Sequence, residues 1–185
     1  MTMPLVERRR MARHRRALGY WGVMLALYLS LWLGATLAPP PWLHATMLFA
    51  HLASIIIGLG AAVFLEYNGL LWMMRRRTLA DLRHTERSVS PLAWLGIIGL
   101  FASGAFLQPN LEDPLTVIKM AAVLLVAMNG IAMTRLTEEL ARLPAHVPFA
   151  TIPPRVRLWC VWSAVVSQAG WWTAVVIGML NTAVR

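Results

Sequence analysis

Apolar residues in this chain fall into five long runs, at about 17–38, 44–74, 91–108, 114–134 and 156–182. Neither strand-like alternation nor the single apolar stripe of a soluble helix describes them. Each run is close to or above the roughly 20 residues a helix needs to cross the hydrocarbon core of a bilayer. The pattern predicts an all-α fold, an integral membrane bundle of five transmembrane helices. Residues 1–16 form a basic segment, and 17–185 form one domain, because the connecting loops are too short to fold alone. The first run ends in GATLAPPP, which resembles a signal-peptide cleavage region. Its length is that of a span, so it is expected to stay as the first helix.

The polar segments fix an expected orientation. Six arginines lie in LVERRRMARHRR (5–16), five in RRRTLADLRHTER (75–87) and four between 135 and 157. The loop QPNLEDP carries Glu112 and Asp113 and no arginine. Cationic loops stay in the cytoplasm, so the N-terminus is expected inside and the C-terminus outside, in a bacterial inner membrane. Ser90-Pro91 is expected to open the third helix. RLTEELARL (135–143) puts Leu136, Leu140 and Leu143 on one face and lets Glu138 meet Arg142 at i, i+4; it is expected at the membrane surface.

Composition agrees: 58% of residues are hydrophobic and only 14% charged, with a mean hydropathy of +0.60. The net charge of +9 would suit a nucleic-acid binder, but it is gathered at the ends of apolar runs rather than on one face. The expected surroundings are lipid and other membrane subunits or a second copy, with no nucleic acid. Cys160 is the single cysteine, so no intramolecular disulfide forms. The nine tryptophans sit mostly towards run ends, as an interfacial belt does.

Candidate chemistry is concentrated in HATMLFAHLASIIIGLGAAVFLEYNGLLWMM (44–74). On a helix, His44, Gly58 and Ala62 fall roughly 20° from His51, and Gly69 almost in register with it. This face of histidine and small residues admits close approach by another helix or by a flat macrocycle. His51 is a candidate hydrogen-bonded core histidine, haem axial ligand or proton relay. His44, Met47 and His51 together are a soft-to-borderline donor set suited to copper. The two histidines are about 10 Å apart along the axis, so other helices would have to complete such a site. Glu66 is a candidate for an ion pair with the arginine cluster or for a proton path. Lys119, the only lysine, either snorkels to the interface or faces an anionic partner such as a haem propionate or a quinone oxygen. Asn129 and Gln168 are expected as interhelical hydrogen-bonding amides.

The order of these features resembles the copper-resistance D family of bacterial membrane proteins. It is also similar to the HemJ-type protoporphyrinogen oxidases. The resemblance rests on His51 with Gly60 nine residues later, Ser103-Gly104 in FASGAFL, and Pro114 followed by LTVIKMAAVLLVAMN with Lys119 and Asn129. It covers 44–134, and it departs from the families at Gly58, where they usually carry tryptophan. The resemblance implies His51 as a ligand to haem b, or to copper, with Lys119 as its companion. Three functions follow as expectations: an accessory or structural subunit of a larger membrane complex, a haem-b-binding redox protein, and a copper-handling protein. No nucleotide-binding loop, hydrolytic triad or metalloprotease motif points to soluble-type enzyme chemistry, so a stand-alone enzyme is not the leading expectation.

Overall fold

A computed structural model describes residues 5–183, and among them all regular structure is helical. Five long helices follow in order: α1 (Leu5–Thr36), α2 (Pro41–Met73), α3 (Leu79–Gly104), α4 (Pro114–Leu140) and α5 (Pro154–Ala183). A single 3-10 turn, Phe149–Thr151, lies between the last two. Four of them, α1, α2, α4 and α5, are long and apolar enough to cross a membrane. In α3 the apolar part runs only from Pro91 to Gly104, about 21 Å at 1.5 Å per residue.

The helices run alternately up and down. α2 and α3 form one antiparallel hairpin, α4 and α5 a second, and α1 lies across α3 and α4. Hydrogen bonds tie the two ends of the bundle separately. At the arginine-rich end Trp72 Nε1 donates to Val147 O at 3.0 Å, and the Arg83 guanidinium donates to Leu140 O and Leu143 O. Arg16 meets Glu138 at 3.6 Å there. At the opposite end Gln108 Nε2 donates to Leu37 O at 2.7 Å, and Asn181 Nδ2 reaches Asp113 Oδ2 and Thr116 Oγ1 at 3.2 and 3.1 Å.

Several boundaries differ from the sequence expectation. The basic leader, from Leu5 onward, is helical and continuous with α1, because it holds good helix formers and no glycine or proline until Gly19. Helix α3 begins at Leu79 rather than Pro91. A capping box starts it early: Thr78 Oγ1 accepts from Asp81 N at 3.2 Å, and Asp81 Oδ2 accepts from Thr78 N at 2.9 Å. Pro91 therefore lies inside α3, at an exposed position. RLTEEL extends the fourth run as the last turns of α4, with Leu136 and Leu140 buried against Trp72, Leu79 and Ile152. Because α4 ends at Leu140, Arg142 lies in the following turn. Glu138 pairs with Arg16 instead, and Arg135 with Glu139 at 3.5 Å.

The main core lies between the hairpins, where Ala62, Ile97, Leu100, Val126, Ala127 and Trp171 pack together with Val23 of α1. At its centre α2 and α3 approach backbone to backbone, since a Cβ on Gly96 would fall onto Gly58. The Trp171 ring covers Gly58 from α5. Around this core, Trp21, Phe49 and Ile56 are more than 70% exposed, and many other large apolar side chains are exposed as well. So large an apolar exterior fits lipid rather than water as the surrounding solvent.

Candidate functional site

Towards the acidic-loop end, α1 to α5 enclose a cavity of about 250 Å³. His44 and His51 of α2, Thr116 and Lys119 of α4, Asn181 of α5 and Ser30 of α1 supply its polar lining. Leu100, Phe101, Met120 and Val123 form much of its apolar wall. The structure thus brings together three of the residues singled out in the sequence: His44, His51 and Lys119. Met47 is not part of the lining.

The orientation of His51 follows from a chain of hydrogen bonds. Ser103 Oγ lies 2.5 Å from Gly99 O, four residues earlier on α3, and can only donate to that carbonyl. The hydroxyl therefore accepts from His51 Nδ1, 2.9 Å away. Nδ1 carries the proton, and Nε2 is left as a lone-pair acceptor on a ring that lines the cavity. Lys119 is near enough for its charge to act on that ring. One turn or two towards the mouth, His44 Nδ1 is buried and makes no hydrogen bond in the protein.

A polar cluster lies beside the cavity at the start of α4. Asp113 caps α4 by accepting from Leu115 N and Thr116 N, at 3.1 and 3.2 Å, and from Thr116 Oγ1 at 2.9 Å. Donation by the Thr116 hydroxyl, supported by the backbone N–H groups and Asn181, holds the Asp113 carboxyl below its ordinary range.

The glycine face of α2 is divided along its length, with Ala62 and Gly69 lining a separate cavity nearer the arginine-rich end. Gly58 is filled by Gly96 and Trp171, while Gly60 faces outward with nothing near it. Haem fits the remaining space poorly. One oriented imidazole and one ammonium are suitable partners, but about 250 Å³ is below the 300–1,000 Å³ usual for enclosed ligands. A copper ion would fit by volume, but the two imidazoles are about 10 Å apart along the axis of α2. It would also share the cavity with the Lys119 ammonium, which opposes a second cation. Among the described residues no three His, Cys, Asp or Glu side chains gather as a metal site.

Glu66 lies about 22 Å along α2 from His51, in a second cavity near the arginine-rich end. Its carboxylate takes hydrogen bonds from Ser167 and Gln168 of α5, and among the described residues it forms no ion pair. Asn129 and Ser163 join α4 to α5: Asn129 Nδ2 donates to Ser163 O, and Ser163 Oγ to Asn129 Oδ1, both at 2.9 Å. Sequence reasoning missed Met120 and Asn181 as lining residues. The only available signal for Met120 was its place beside Lys119, and Asn181 stood at the far end of the chain. Comparison with known protein families, curated proteins and solved structures finds no match to this chain.

Proposed function

We propose that this is a five-span protein of a bacterial inner membrane, with its N-terminus in the cytoplasm, that binds a quinol-type ring in its outer cavity. The supporting observation is the orientation of His51. Ser103 holds its Nδ1–H, so Nε2 presents an acceptor to a cavity that also holds Lys119. An imidazole acceptor and an ammonium donor in one apolar pocket suit a ligand with a hydroxyl and a second oxygen. About 250 Å³ equals the liquid volume of about eight waters, room for one substituted ring with its alkyl tail in lipid. The fifth span is supported by the end-to-end ties. The His51–Ser103 and Ser30–Phe101 bonds set the last turn of α3 against the interior of α2 and α1, and the Gln108–Leu37 bond carries the following segment to the end of α1. Arginines concentrated at the other end support the orientation.

The test is a titration of the purified full chain in nanodiscs with a short-tailed benzoquinol, followed by tryptophan fluorescence and accompanied by an absorption spectrum and metal analysis. Saturable binding is expected, weakened roughly tenfold by His51→Ala or Lys119→Met. A Soret band lost in His51→Ala would replace this reading with the haem-b protein. Stoichiometric copper lost on His44→Ala or Met47→Ala would replace it with the copper-handling protein. Absence of all three, with a fixed set of co-purifying membrane subunits, would leave the accessory-subunit reading.

A further inference from the structure

We infer that the second cavity, between α2, α3, α4 and α5 near the arginine-rich end, binds a lipophilic monovalent cation. It measures about 470 Å³, within the range of drug-sized ligand sites. Its walls are mainly apolar, with Trp72, Trp94 and Trp171 among them, and its ionisable lining is Glu66, Glu86 and Arg83 apart from the Cys160 thiol.

The polar groups of the cavity divide into those already satisfied and those awaiting a partner. Trp72 Nε1 is engaged by Val147 O, and Asn129 and Ser163 satisfy each other. The Arg83 guanidinium donates through Nη2 to Leu140 O and Leu143 O, at and just beyond the end of α4, rather than to a carboxylate, while its buried Nε has no hydrogen-bond partner among the described residues. Glu66 and Glu86 are left without an ion pair among the described residues. Two acidic side chains thus line the cavity against one guanidinium.

That acidic excess selects the occupant. An acyl chain would fill the apolar volume but further desolvate Glu66 with nothing in return. An anion would be repelled. A single positive charge on a bulky apolar body answers both features: the carboxylate compensates the charge, and tryptophan faces attract it. Ser167 and Gln168 donate to Glu66 from α5, which holds the carboxylate as an acceptor on the cavity wall.

The experiment is equilibrium binding of tetraphenylphosphonium to the purified full chain in detergent, with neutral triphenylphosphine oxide as competitor. Saturable binding is expected, untouched by the neutral compound, weakened about tenfold or more by Glu66→Gln and retained by Glu66→Asp. Binding equally well displaced by the neutral compound, or unchanged in a folded Glu66→Gln, would overturn the assignment; so would no saturable binding at all. If Glu66→Gln does not fold, the comparison of charged and neutral compounds on the unaltered protein decides.

Discussion

Ser103 has one proton and two neighbours, and the way it divides them determines what His51 can do. Its donation to Gly99 O fixes the proton on His51 Nδ1. Ser103→Ala removes the acceptor for that proton and frees the ring to turn. A loss of about 1 kcal/mol, near fivefold in quinol affinity, is expected in the nanodisc titration, with little change in melting temperature. Arg83 is the converse case, a charged side chain with a structural task. Removing its side chain strips Leu140 O and Leu143 O of their donor, and such charge-assisted bonds contribute about 1.5–3 kcal/mol each. Arg83→Met should therefore lower the melting temperature measured in detergent while leaving the outer cavity's ligand affinity unchanged.

At the scale of helices, the crossing of α2 and α3 depends on two glycines meeting. Gly96→Val would push a side chain into the Gly58 backbone, and overpacking of this kind costs about 1–3 kcal/mol. Thermal unfolding should show it, and Gly60→Ala, which meets open space, should show little. The start of α4 carries a pH dependence. Asp113 is held below the ordinary aspartate range, so its folded-state stabilisation is complete above the unfolded value of about 3.9. It is lost as pH falls through the lower folded value. Asp113→Asn should flatten the acid limb of a melting-temperature profile. Run lengths alone gave the five helices, because lipid forces apolar continuity onto the sequence. They could not show that Thr78 and Asp81 start α3 twelve residues before Pro91, since the capping box lies inside a charged loop pattern. Nor could they show that Trp171 leaves the interfacial belt to cover Gly58, or that Glu66 turns to Ser167 rather than to an arginine. Those outcomes depend on which helices become neighbours, and helical spacing within one run carries no such information.

For the whole molecule, topology is the most direct prediction. Reporter fusions after residues 77 and 144 should be active in the cytoplasm, and one after residue 110 only outside it. An α3 that failed to cross would place the last of these in the cytoplasm. The arrangement of α1 has a further consequence, one of time. Its partners are α3 and α4, with Gly19 against Ile131, Ser30 bonded to Phe101 O, and Arg16 facing Glu138. The ribosome delivers α1 first and must add roughly 100 more residues before α4 is complete, on the order of 5–20 s at ordinary synthesis rates. Its α3 partner arrives partway through that interval, and its α4 partner only at the end. Its Ser30 hydroxyl and Arg16 must wait in the membrane or at its edge until later helices arrive to receive them.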